Sequence, residues 1–356
     1  MVERDWHYGE NCGGRGEVIK IPMENKLKVT LGVIAYNEEK YLPDLLDCIL
    51  KQSYPAELLE IILVDGKSED KTYEVMKNFE KKYSQFEKVL VVTNEKRTQP
   101  AGWNVVIRYM TGDILIRVDA HALIPENFIE NNVRRLESGE VVCGGPRTNI
   151  IDENTAWKRT LLTAEQSMFG SGIAPYRRES KDEVKYVKSV FHAAYRKEVI
   201  DKVGMFNESL LRTEDNEYHY RIREAGYRIC YDESIVSFYQ TRNTLKKMIK
   251  QKYANGYWIG KTAWICPKCL SLYHFVPGAF VISILATGCL SLVGIKCFFR
   301  MLLGLYGCCC GILTLLCFIK ERFLLSNLLL EAIFPILHIS YGVGTLKGLV
   351  EGRCDE

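Results

Sequence analysis

Apolar and polar positions divide the chain into two unlike parts. From Lys28 to about residue 120, short apolar runs alternate with amphipathic stretches. Val29–Ala35 predicts a buried strand, and Tyr41, Leu42, Leu45, Leu46, Ile49 and Leu50 then recur on one face of a helix. The same alternation predicts strands over Glu60–Val64, Val89–Thr93 and Ile114–Val118, with helices over Thr72–Tyr83 and Trp103–Met110. Strands built from consecutive Val, Ile and Leu, interleaved with helices, predict an α/β fold around a mainly parallel sheet covered on both faces.

Beyond residue 270 the pattern changes. Three apolar stretches, 274–295, 301–319 and 323–346, each approach the ~20 residues that cross a ~30 Å hydrocarbon core. Glu331 is the one acidic or basic residue among them. Asn327, Glu331 and His338 fall near one face of the third stretch and predict contact between helices or with a lipid phosphate. Ahead of the first stretch, Tyr253, Tyr257, Trp258 and Trp264 mingle with Lys246, Lys247, Lys250, Lys252, Lys261 and Lys268. Such a collar suits the cytoplasmic headgroup layer. The expected organisation is a flexible segment over 1–27, a soluble domain over 28–262 and a membrane domain over 263–356.

Composition sharpens this division. The chain has 356 residues, 47% of them hydrophobic and 26% charged, but only six charged residues fall in 272–346. Long apolar runs exclude disorder and a small disulfide scaffold. A net charge of +3 argues against a nucleic-acid partner and is better matched to a membrane surface. The first 28 residues lack the apolar core of a signal peptide, so the soluble part is expected in the cytoplasm of a multi-pass membrane protein. Of 13 cysteines, Cys266 and Cys269 form one isolated pair, short of the four ligands structural zinc needs.

In open parallel sheets, ligands bind beyond the carboxyl ends of the strands. That rule selects the loop Tyr36–Glu39, the loop Asp65–Asp70 and the turn Asp119–His121. Taken singly, Asn37, Ser68 and Asp70 read equally well as helix caps and Asp119 as a turn residue. The first strand lacks the GxGxxG loop of dinucleotide-binding sheets. Carboxylates at several strand ends instead suit a ligand bound through base, ribose and a metal-bridged diphosphate.

Four motifs in order carry a family resemblance: Val33-Ile34-Ala35-Tyr36-Asn37-Glu38-Glu39, Val64-Asp65-Gly66-Lys67-Ser68, Val118-Asp119-Ala120-His121-Ala122, and Thr213-Glu214-Asp215-Asn216-Glu217. Residues 28–262 thereby resemble a family 2 inverting glycosyltransferase of the GT-A fold, most similar to the succinoglycan-type, ExoA-like membrane branch. The resemblance implies that Ala35, Tyr36, Glu38, Asp65 and Asp119 hold the nucleotide, with a UDP-sugar the commonest donor. It implies a divalent metal, Mn²⁺ or Mg²⁺, at Asp119 and His121. His121 stands where aspartate is commoner, and either ligates that metal or donates directly to the diphosphate. Asp215 is implied as the general base, opening a helix whose first-turn N–H groups favour a carboxylate. Glu214, Glu217, Arg242, Lys252 and Trp258 are candidates for the acceptor or a phosphate. The Gln-x-x-Arg-Trp motif of processive synthases is missing after residue 239, which favours addition of one sugar to a polyprenyl-diphosphate-linked saccharide. A processive synthase and a non-catalytic membrane scaffold are the alternatives.

Overall fold

A computed structural model describes residues 27–167, 169–170 and 184–354. The flexible segment expected over 1–27 lies, Leu27 apart, outside the described residues. Strands β1 (Val29–Ala35), β2 (Leu59–Asp65), β3 (Lys88–Thr93) and β4 (Ile114–Asp119) pair in parallel in the order β3-β2-β1-β4. Helices α1 (Leu42–Leu50), α2 (Thr72–Lys82) and α3 (Gln99–Tyr109) connect them. Six of the seven elements lie within one residue of the ranges that periodicity predicts, and α3 begins four residues before the predicted Trp103.

The sheet continues with strands that periodicity left unassigned. β9 (Ala194–Arg196) runs antiparallel between β4 and β6 (Val142–Gly144), and β10 (Ile229–Asp232) and β8 (Val184–Val187) complete the edge. A second sheet orders β5 (Ala122–Leu123), β11 (Ser237–Gln240) and β7 (Arg147–Ile150). These segments have two to four residues and reach across about 40 to 120 positions of chain, so local periodicity carries little of their pairing.

Each face of the large sheet closes on its own core. Leu42, Leu45, Leu46 and Ile49 of α1 are buried with Leu31, Ile61 and Ile116 on one side. Trp103 and Val106 of α3 pack with Ile62, Val64 and Leu115 on the other, beside Tyr195, Tyr218 and Phe206. Each fully buried aliphatic side chain stabilises the fold by about 1.5–3 kcal/mol, so the strand ends stand on a rigid platform. Helices α4 (Phe128–Glu137), α6 (Lys197–Val203) and α7 (Glu214–Glu224) complete these layers.

The C-terminal part is docked to this platform. Helix α8 (Leu245–Ile265), N-capped by Thr244, packs along α11 (Leu330–Cys354). A Cβ on Gly256 would overlap the Tyr341 carbonyl, and one on Gly260 the Thr345 carbonyl. From the other side, Gly344 and Gly348 face the carbonyls of Tyr253 and Tyr257 in the same way. The backbones touch because neither helix has side chains along this seam. Helices α9 (Val276–Leu292) and α10 (Cys297–Lys320) form an apolar hairpin beside α11. With its preceding turn, α9 gives an apolar helix over Leu272–Leu292; with Cys297–Lys320 and Leu325–Gly352, three helices are long and apolar enough to cross a membrane.

The polar residues of the third stretch do make contacts between elements. His338 Nδ1 shares a hydrogen bond with Tyr306 Oη of α10 at 2.7 Å and its Nε2 meets the Phe169 carbonyl at 2.5 Å. Asn327 Oδ1 accepts from Thr160 Oγ1 at 2.9 Å, on α5 (Ala156–Gln166) of the soluble part. The expected boundary at 262 falls inside α8, which belongs to both parts.

Candidate active site

Neighbouring strands bring the first predicted residues side by side. Ala35 is the register partner of Asp65, and Ile34, one residue back, is that of Asp119, so the ends of β2, β1 and β4 form one rim. The Gly66 N–H donates to the Ala35 carbonyl at 2.8 Å. Asn37, with φ of +55°, turns the first loop, and its Oδ1 accepts from Glu69 N while its own N–H donates to Ser68 Oγ. Asp70 and Thr72 accept from Glu39 N and Glu38 N. These side chains thus knit the two loops together, the structural reading of Asn37, Ser68 and Asp70. Asp65 accepts from Ser68 N and is buried, while Tyr36 stands 48% exposed at the rim as a surface for a planar base.

At the third strand end, His121 Nδ1 lies 3.0 Å from Glu38 Oε1. Glu38, expected at the nucleotide, is therefore engaged with His121. The His121 ring meets Tyr239 edge-on at 4.7 Å. Burial alone would lower the His121 pKa, but Tyr239, Glu38 and Asp119 outweigh it and raise it to about 10. Its Nε2 is buried without a partner. Burial raises the pKa of Asp119, offset in part by His121 and Arg117, so a cation at this carboxylate is favoured. A histidine whose Nδ1 is held by a carboxylate and whose Nε2 is open has the second-shell arrangement of metal-ligating imidazole. Among the described residues no three His, Cys, Asp or Glu side chains converge to hold an ion by themselves. Asp119 and His121 fit a divalent ion whose shell is completed by diphosphate oxygens, the usual mode for Mg²⁺.

Asp215 sits in the first turn of α7, within charge reach of Asp119. Arg117 Nη1 donates to Asp215 Oδ1 at 2.5 Å. The guanidinium lies under the Trp103 ring at 4.2 Å and the Phe206 ring at 4.7 Å, and its Nη1 also reaches Tyr195 Oη at 3.4 Å. Burial works against its charge, but Asp215 and Tyr195 more than compensate, and Arg117 stays protonated. Tyr195 Oη in turn meets His219 Nε2 at 2.9 Å. Asp215 is thus mounted on a buried, ordered support. Burial and the Asp215 charge together push the Glu214 carboxyl well above its ordinary value, so Glu214 holds its proton.

Two other predicted residues are structural. Lys252 Nζ forms an ion pair with Glu165 Oε2 at 2.8 Å, both side chains only 7% exposed, because α8 passes over α5 there. It is a buried ion-pair partner rather than an open cation. Glu217 grips Arg221 Nε at 2.6 Å and Nη2 at 3.0 Å, and Arg221 reaches on to the carbonyls of Val203 and Met205. Its carboxylate braces a loop, one turn along α7 from Asp215. Arg242 lies next to Tyr239 and Arg212. Trp258 is half-buried on α8, spaced with Asn255 and Thr262 on one helical face. That face meets the loop before Asp215, since Asn255 Oδ1 accepts from Arg212 Nη1 at 3.1 Å and Thr262 shares a 2.5 Å hydrogen bond with Thr213.

With this geometry in hand, comparison with known proteins decides the family. Residues 30–204 match the description "Glycosyl transferase family 2". These residues form a glycosyl transferase family 2 domain. This glycosyltransferase is 28% identical over 334 residues to a dolichyl N-acetyl-alpha-D-glucosaminyl phosphate 3-beta-D-2,3-diacetamido-2,3-dideoxy-beta-D-glucuronosyltransferase of Methanococcus voltae, covering 91% of this chain and 98% of the relative. It is 26% identical over 226 residues to the succinoglycan biosynthesis protein ExoA of Rhizobium meliloti, covering 62% and 65% respectively. Among solved structures it resembles the mannosyltransferase PcManGT from Pyrobaculum calidifontis in complex with GDP-Man and Mn²⁺, with a TM-score of 0.58 and 17% identity over 90% of this chain and 87% of that one. That likeness establishes the GT-A fold.

Sequence reasoning missed several residues of the transferase site. Arg117 carried a usable signal, a single charge inside the otherwise apolar run Ile114–Val118, which on a buried strand demands a partner. His192, with φ of +40°, accepts the Asp119 N–H through Nε2 at 3.3 Å; burial and the cations Arg147, His121 and Arg117 keep it neutral. Arg147 stacks on Tyr239 at 4.2 Å and Phe191 at 4.5 Å. Neither His192 nor Arg147 shows a local pattern that would single it out.

Proposed function

We propose that the transferase moves one sugar, with inversion, from a nucleotide-sugar donor to a saccharide joined through phosphate to a membrane lipid. The observation that carries this reading is Asp215: a carboxylate at a helix start, fixed by Arg117 and set against the strand-end rim of Asp65 and Asp119. With Arg117 on Oδ1, Oδ2 is the oxygen that takes the acceptor hydroxyl proton as that oxygen bonds to the anomeric carbon. The bond from the anomeric carbon to the diphosphate breaks in the same displacement. Asp65 and the exposed Tyr36 ring bind the ribose and base. A divalent ion held by Asp119 and His121 would neutralise the charge that develops on the leaving nucleoside diphosphate.

The acceptor class is supported by the Methanococcus relative, whose name specifies a dolichyl phosphate-linked sugar and whose match runs nearly the full length of both chains. The apolar tail supports the same class, because it holds the site at a lipid surface. Lys246, Lys247, Lys250 and Lys268 beside α8 favour a multi-pass topology with the catalytic part on the cytoplasmic side.

The test uses full-length protein in detergent with UDP-, GDP- and dTDP-sugars and two saccharide acceptors, one on a polyprenyl monophosphate and one on the diphosphate. Transfer with inverted anomeric configuration is expected. Asp215→Asn should lose about 10²- to 10⁴-fold in rate, the usual worth of a positioned base, while nucleotide affinity stays within a few-fold. Retained configuration, or parental transfer by Asp215→Asn, would reject the single-displacement scheme.

A further inference from the structure

Two arginines beside the base lack an acidic partner. Arg212 is exposed three residues before Asp215, its Nη1 held only by the neutral Asn255 side chain. Arg242 follows β11 and lies within charge–charge reach of Arg212, so the two guanidiniums repel each other. Among the described residues neither forms an ion pair with a carboxylate. Two arginines nearby are held by carboxylates, Arg117 by Asp215 and Arg221 by Glu217. Close to Arg242 in the chain, Gln240 is only 9% exposed, and one end of its side-chain amide has no partner. Like charges within reach of each other are stabilised by an anion between them. Guanidinium forks match phosphate oxygens in particular.

Two anions enter the proposed reaction, the donor diphosphate and the acceptor phosphate. The donor diphosphate is accounted for at the strand ends by Asp119 and His121. Arg212 belongs to the loop that Thr213 and Asn255 pin to α8, and α8 runs along the membrane tail. A lipid-linked sugar that presents a hydroxyl to Asp215 brings its phosphate in from that side. We infer that Arg212 and Arg242 clamp the phosphate that joins the acceptor sugar to its lipid. This inference rests on the acceptor class proposed above and adds the residues that select it.

The test compares two acceptors with the same sugar, one on a polyprenyl phosphate and the other a neutral alkyl glycoside, using full-length protein in detergent. The parent should prefer the phosphate acceptor. Arg212→Gln and Arg242→Gln should each raise KM for that acceptor roughly 10- to 100-fold and bring the preference toward one, with nucleotide Kd within a few-fold of the parent. Arg212→Lys, which keeps the charge, should recover part of the preference. Weakened nucleotide binding with an intact acceptor preference would place the arginines on the donor and overturn the inference. So would an unchanged preference in both variants. A parent that transfers sugar but shows no preference for phosphate would instead reject the proposed acceptor class, whatever the variants do.

Discussion

At the residue scale, the site is organised by pairs in which burial raises the cost of an unmatched charge. Glu38 and His121 hold each other, Arg117 holds Asp215, and burial and the neighbouring Asp215 raise the Glu214 carboxyl so that it keeps its proton. The last pair gives a pH prediction. A carboxyl whose pKa rises on folding binds a proton that the unfolded chain releases, so stability falls as pH climbs above its ordinary 4.5 toward the folded value. Glu214→Gln, neutral at every pH, should therefore raise the Tm at about pH 7 and leave it nearly unchanged near pH 4. An equal gain at both values would show that packing, not ionisation, is responsible. The metal reading makes a second prediction. EDTA should stop transfer and Mn²⁺ restore it, and His121→Ala should raise the Mn²⁺ concentration that gives half-maximal rate. A metal also competes with the proton on His121, so its apparent affinity should rise with pH. Full transfer in EDTA would remove the ion from the mechanism.

At the element scale, the loops at the ends of β1, β2 and β4 and the first turn of α7, which holds Asp215, form the two sides of the candidate site. Arg221 and Arg223 close α7 where its carbonyls point, as Glu214, Asp215 and Glu217 open it, so the helix dipole is matched at both ends. The seam between α8 and α11 depends on glycine in another way. Its Gly256-x₃-Gly260 and Gly344-x₃-Gly348 spacings were a signal in the chain, but their partners lie some 90 residues apart and only the packed helices reveal them. Gly348→Leu must displace the Tyr257 backbone and should cost at least about 1–3 kcal/mol, the range for overpacking. Gly304→Leu is the control, because Gly304 has no neighbouring atom against which a Cβ would press. Thermal unfolding in detergent should separate the two; equal Tm values would mean that the seam contributes nothing.

At the scale of the whole molecule, the apolar helices are not equivalent. About 11% of the apolar window of α9 and of α10 is buried by protein, against 39% for α11. The hairpin leaves the most apolar surface open, while α11 is sheathed by α8; just before α11, Asn327 bonds Thr160 of α5, and within it His338 meets the Phe169 carbonyl. The full chain should accordingly partition with membranes and require detergent for extraction. A chain ending at Ile265 would strip the cover from Gly256 and Gly260, and should aggregate or unfold at lower temperature than the full chain. Recovery of the full chain in the soluble fraction without detergent would overturn the membrane reading.

The sequence by itself determined the β1–β4 half of the sheet, its three helices, the three apolar spans and the carboxylates Asp65, Asp119 and Asp215. Each of these is a local pattern: an apolar period, a run matched to bilayer thickness, or a charge at the end of a predicted strand. Tertiary structure decided what those residues meet. It removed Lys252 and Glu217 into ion pairs, turned Glu38 toward His121, and brought Arg117 and His192 into the site. It also left Arg212 and Arg242, among the described residues, without an ion pair to a carboxylate. Charge partners depend on distance in space and on the loss of water around them, and a one-dimensional chain records neither.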